Sequence, residues 1–128
     1  MKKITNEAYQ LAKYMHDWIC VHAPSIQSNS SHTIRGYSIT LSLFVDFLEK
    51  EKKINPSSLI GECFSREYIE EWILWLKNKR NCSAETYNIR LASIRAFVKY
   101  LAEKNVSYLY MYQSVMMIPR QKTIIKKR

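Results

Sequence analysis

Apolar positions recur at helical steps along most of the chain. Ala8, Leu11, Ala12, Met15, Trp18 and Ile19 stand three and four residues apart. That spacing predicts a first helix, capped by Thr5 and ending near His22, ahead of Pro24. The stretch 24–31, PSIQSNSS, is polar and rich in cap-forming residues, so it predicts a loop that delivers the next helix N-terminus. A second helix is expected over about residues 31–53, where Ile34, Tyr37, Leu41, Phe44 and Leu48 alternate in steps of three and four. Asn55 and Pro56 stop it, and a loop through Gly61 leads to Ser65, which can cap a third helix. The buried face of that helix should be Ile69, Trp72, Ile73 and Leu76. Glu67, Glu70 and Glu71 fill its first turns and Lys77, Lys79 and Arg80 its last, the order that complements a helix dipole.

After a turn at Asn81 and Cys82, Ser83 caps a fourth helix that extends to about Lys104, with Tyr87, Leu91, Ile94, Val98 and Leu101 as its core stripe and Phe97 beside it. Residues 107–118 are apolar and rich in Tyr and Met, which predicts a fifth, shorter helix, although the alternation of Tyr108, Tyr110 and Tyr112 also permits a strand. Pro119 opens a basic tail, PRQKTIIKKR, with no core pattern of its own. The fold class expected is therefore all-α, a compact bundle of four to five helices with a basic C-terminal extension. Composition agrees with this. With only two Gly and three Pro in 128 residues, there are too few breakers for a sheet with many tight turns. A hydrophobic share of 47% is enough for one domain to bury a core.

Charge adds a partner class. The net charge is +9, and over half of that excess lies in residues 107–128, where Arg120, Lys122, Lys126, Lys127 and Arg128 face no acidic residue. A basic balance suits a polyanion, because neutralising phosphates releases counterions. Cys20, Cys63 and Cys82 are odd in number and widely spaced, without a CxxC pair, which implies free thiols in a reducing compartment and no metal site. No signal peptide opens the chain and no apolar run approaches the roughly 20 residues a bilayer span needs, so a cytoplasmic protein without membrane contact is expected. There is no Gly-rich phosphate loop, no Ser/His/Asp ordering and no metal-ligand spacing, so neither catalysis nor a cofactor is expected.

Two motifs carry a resemblance. SHTIRGYSITLSLFVDFLEK follows a polar loop and sets Thr33 four residues before Tyr37, ahead of an aromatic and Leu stripe. NCSAETYNIRLASIRAFVKYLAEKN brings Ser83, Thr86, Asn88, Arg90, Leu91, Ile94, Arg95, Phe97 and Tyr100 in order. Together they resemble the core-binding, SAM-like N-terminal domain of tyrosine recombinases and phage integrases, over roughly residues 9–105. One departure is that Asn105 is followed by Val106, where members of the family often carry an Asn-Pro pair.

The resemblance implies a non-catalytic domain that lays helices against the major groove of a recombination site. A separate domain supplies the chemistry, an Arg, Lys and HxxR set around a nucleophilic Tyr. On that reading residues 1–118 form the DNA-binding domain, and 119–128 form a basic linker toward a catalytic domain outside this sequence. The implied partners are double-stranded DNA and other recombinase subunits.

The candidate DNA-binding residues follow from position and chemistry. Ser31, His32, Thr33 and Arg35 open the second helix, where free backbone N–H groups and the dipole attract phosphate. His32 to Arg35 spell HxxR, but in the family that motif belongs to the later domain, so DNA contact is the better reading. Ser83, Thr86, Asn88, Arg90, Arg95 and Lys99 lie on the polar side of the fourth helix, where Asn and Arg have the fork geometry that reads adenine and guanine edges. Lys77 and Arg80 end the third helix, and Arg120 and Lys122 lie in the tail. Gly36, inside a helix, is expected to serve close packing against a neighbour. Trp18 and Trp72 fall on core stripes and are expected to pack rather than stack on bases, and Trp75 is expected against the first helix. A different reading is a helical protein-interaction module in which the Tyr- and Met-rich fifth segment docks on a partner chain.

Overall fold

The computed structural model describes residues 3–26 and 30–122. Residues 27–29 of the expected loop, and Lys126, Lys127 and Arg128 of the basic tail, lie outside the described residues. Five α-helices account for the bundle: α1 (Asn6–Asp17), α2 (Ser31–Glu51), α3 (Arg66–Asn78), α4 (Ala84–Lys104) and α5 (Leu109–Val115). Among the described residues there is no strand. The segment with alternating tyrosines is helical, because Val115 and Ile118 are buried from it while Tyr110 points outward.

Side chains cap α1, α2 and α4, whereas Ser65 stands at the N-cap of α3 without a side-chain cap hydrogen bond. Thr5 accepts from the Ala8 amide at 3.1 Å, and Ser83 accepts from the Thr86 amide at 3.1 Å. On α2 the cap is Ser30, one residue ahead of the expected start, and it accepts from the Thr33 amide at 3.2 Å. One expectation fails. The chain does not leave the helical path near His22 but continues as a π-type helix, Trp18–Ile26, with Pro24 inside it. The wider coil moves the preceding carbonyls away from the pyrrolidine ring, whose clash would end an α-helix. This segment buries Trp18 and Ala23 and sets the Trp18 ring on Tyr37 at 4.3 Å and against Phe97 at 5.1 Å.

The long helix α4 is the spine of the molecule, packed against α2, α3 and α5. Its expected stripe, Tyr87, Leu91, Ile94, Phe97, Val98 and Leu101, is buried throughout, as are Ile69, Trp72, Ile73 and Leu76 of α3. Phe44, Phe64, Trp72 and Phe97 form an aromatic centre, with Phe44 edge-on to Trp72 at 5.3 Å and Phe64 tilted on Phe97 at 5.3 Å. Trp75 packs on Phe47 of α2 at 5.5 Å, not against α1, because it lies on the side of α3 that faces α2. Lys52 pairs with Glu71 at 2.7 Å and ties the end of α2 to α3.

The two glycines differ. A side chain added at Gly61 meets the Tyr108 hydroxyl at 2.6 Å and its ring edge at 3.0 Å, whereas one added at Gly36 meets nothing within 4 Å. The close packing expected of Gly36 is absent.

Candidate nucleic-acid interface

The starts of α2 and α4 are built alike. Each opens on a serine cap followed three residues later by a threonine, and in each pair the two hydroxyls are hydrogen-bonded at 3.1 Å. The helices then converge. Arg90, half-buried on α4, donates through Nη1 to the Gly36 carbonyl at 3.4 Å and to the Thr40 hydroxyl at 3.3 Å, both on α2. Thr40 is wholly buried, so this guanidinium reaches into the crossing of the two helices. Around it lies a cleft of about 360 Å³ lined by His32, Thr33, Arg35, Gly36, Tyr37, Ile39, Ile89, Arg90 and Ser93. Residues 32–39 and 89–93, far apart in sequence, thus line one cleft.

A second cleft of about 640 Å³ adjoins it across Ile89, lined by Glu85, Asn88, Ile89, Ala92, Arg95 and Arg120. Its far wall is the segment that follows α5. Asn88 holds that segment at two points: its amide nitrogen donates to the Gln121 carbonyl at 2.9 Å, and its amide oxygen accepts from the Gln121 N–H at 2.8 Å. Arg95 donates to the Ile118 carbonyl. Burial holds the Arg95 guanidinium below the usual arginine range, and the Arg120 cation beside it pushes in the same direction. The Nε atoms of Arg90 and Arg95 are buried without an acceptor among the described residues.

The expected site residues fall into groups. Ser31, His32 and Arg35 are exposed on the first turns of α2, and Thr33 is half-buried with its hydroxyl in the cap. Lys77 is exposed at the end of α3 and lines neither cleft. Burial raises the Cys82 thiol, with the Arg90 and Lys77 cations opposing it. Arg80 lies over the Trp75 ring at 5.5 Å and lines neither cleft. Ser83 and Thr86 form the α4 cap, and Thr86 is half-buried. Arg120 and Lys122 are exposed on the docked segment, and Lys99 is exposed one turn beyond Arg95, outside both clefts.

Asn88 differs from the reading of an outward polar residue. It is 7% exposed, and both ends of its amide are spent on the backbone of residue 121. Sequence reasoning also passed over Ile39 and Ile89, exposed apolar residues off the core stripes, and Thr40, a buried hydroxyl among apolar neighbours. For the isoleucines the available signal was their position outside the three-and-four spacing.

The chain folds as an all-helical bundle, and comparison with known proteins places it in a family. The model of the phage integrase N-terminal SAM-like domain matches residues 22–108. The chain belongs to this family. It is 28% identical to the tyrosine recombinase XerC of Chlamydia caviae, in a match covering 66% of this chain and 31% of that protein. It is 29% identical to the proteins named integrase/recombinase y4rD and y4rC of Sinorhizobium fredii, each match covering 73% of this chain and 34% and 28% of those proteins. The chain thus spans about a third of the length of these relatives. No solved structure matches it. The HxxR stretch of residues 32–35 lies inside the matched N-terminal domain. Among the described residues, no helix is long and apolar enough to cross a membrane.

Proposed function

We propose that this chain is the non-catalytic, core-binding domain of a site-specific tyrosine recombinase or integrase. It binds double-stranded DNA sequence-specifically and positions a separate catalytic domain for strand exchange and integration. The observation that carries the reading is the cleft beside the α2–α4 crossing, where Arg35 and His32 of α2 meet Arg90 of α4 with no carboxylate among the lining residues. Phosphates are to be met by Arg35, His32 and the helix starts, with Lys77 from the side and Arg120 and Lys122 from the docked segment. Arg90, already held by α2, both fixes the helix crossing and offers its remaining donors to a base edge.

Fluorescence anisotropy against duplex DNA at several salt concentrations tests the proposal. Affinity should fall linearly on logarithmic axes as salt rises, with about 0.9 of slope per phosphate neutralised. Arg35→Ala should lower that slope by about one, and Arg90→Ala should cost about 1–3 kcal/mol of discrimination between sites. Binding that ignores salt, or an Arg35→Ala variant indistinguishable from the parent, refutes it.

A second reading is favoured by one observation. Val106, Leu109, Tyr110, Met116 and Met117 are all exposed around α5, which suits docking on another recombinase subunit or a different protein. Gel filtration separates the two: an oligomer indifferent to DNA and salt favours the protein-interaction module.

A further inference from the structure

Ile39 and Ile89 are 42% and 56% exposed, and they come from different helices into one cleft. A single exposed isoleucine is ordinary on any protein surface. These two differ in their surroundings. The charged members of their cleft are Arg35 and Arg90, with His32 beside them, and no carboxylate lines it. Ile89 is moreover a ridge, because the neighbouring cleft on its other side holds Arg95 and Arg120, with Glu85 as the one acid lining it. Gly36, in the same cleft, has no atom of the described residues, outside its chain neighbours and its own helix backbone, within 4 Å of where its Cβ would lie.

Cations flank the Ile89 ridge on both sides, while Ile39 meets them on the side it shares with Ile89 and has Asp46 on its other side. An apolar ridge set among cations fits a surface that is apolar at its centre and anionic at its edges. The major groove of DNA is such a surface wherever it carries thymine. Phosphates form its walls, and the C5-methyl of thymine is its apolar group. We infer that Ile39 and Ile89 are specificity-determining residues that contact thymine methyl groups, so that this domain selects A·T pairs at the positions facing the ridge. The inference rests on the DNA-binding reading above and adds to it which residues read the sequence and which base they read.

The test uses the chain itself and a random-sequence duplex pool. Sites retained by the protein are resynthesised with each thymine replaced singly by deoxyuridine, which removes one methyl and leaves pairing unchanged. At one or more positions the replacement should weaken binding roughly fourfold, the effect of leaving one methyl exposed. In Ile39→Ala or Ile89→Ala that sensitivity should vanish while the salt dependence stays as in the parent. Both isoleucines are exposed, so the variants should melt with the parent, which thermal unfolding checks. If no thymine is sensitive, or if both variants keep the parent's sensitivity, the inference fails although the DNA-binding reading stands. If the pool is bound without enrichment, the sequence-specific part of that reading fails together with the inference. If the pool is not retained at all, the reading itself fails and takes the inference with it.

Discussion

Gly36 and Gly61 show how differently one residue type is used. Gly36 sits in α2 with open space where a Cβ would lie, so it spends helix stability without a packing return. Gly36→Ala should raise the stability of the free protein by about 1 kcal/mol, read as a higher midpoint in thermal or urea unfolding. Gly61→Ala sets a methyl against the Tyr108 hydroxyl and ring edge and should cost about 1–3 kcal/mol in the same measurement. At this scale the sequence was legible for apolar side chains and much less so for polar ones. Leu91 and Phe97 announce burial by type and spacing. Asn88 does not, because its role is decided by residue 121, thirty-three positions away, and a short amide on a helix reads the same whether it faces solvent or another backbone. Arg90 and Thr40 are a second case: the polar pair that sets the α2–α4 crossing has no local signature in either helix.

Helix ends are the most legible feature among the elements. Serine and threonine side chains cap the starts of α1, α2 and α4, and the ends of α2 and α3 are followed by Lys53 and Asn81 in left-handed conformation, with φ of 57° and 53°. Each turns the chain so that an amide one residue later reaches back to the helix: Ile54 to the Leu48 carbonyl at 2.9 Å, Cys82 to the Leu76 carbonyl at 3.1 Å. Asparagine tolerates that region, whereas lysine pays a steric cost there. Lys53→Gly should therefore stabilise the fold by up to about 1 kcal/mol, and Asn81→Gly by less, in paired denaturant titrations. The π-type segment after α1 was not legible. Pro24 normally ends a helix, and only tertiary packing of Trp18 and Ala23 against α2 and α4 holds the coil open around it.

For the molecule as a whole, burial of neutral acids links stability to alkaline pH. Desolvation raises the phenols of Tyr87, Tyr100 and Tyr108 and the thiols of Cys63 and Cys82. A group raised in the folded state is ionised first in the unfolded chain. Its stabilising contribution is complete below the unfolded values, about 8.5 for thiols and 10 for phenols, and is lost as pH climbs through the folded ones. Unfolding midpoints should be flat on this account up to about pH 8 and fall steadily from about pH 9 to 11; a midpoint unchanged at pH 11 contradicts the burial of these groups. The meeting of residues 32–39 with 89–93 belongs to this scale too. Two motifs in one chain suggest a shared surface, but the crossing that joins them is a property of the packed core.

The clasp between Asn88 and residue 121 has one more consequence. Asn88 grips a peptide group and ignores the side chain, much as one strand registers its neighbour. The glutamine at 121 is therefore exchangeable, and what cannot be replaced there is a main-chain hydrogen. Gln121→Ala should leave amide exchange at that position slow, while Gln121→Pro, or Asn88→Ala, should set the final stretch of chain free of the helix and leave the bundle intact.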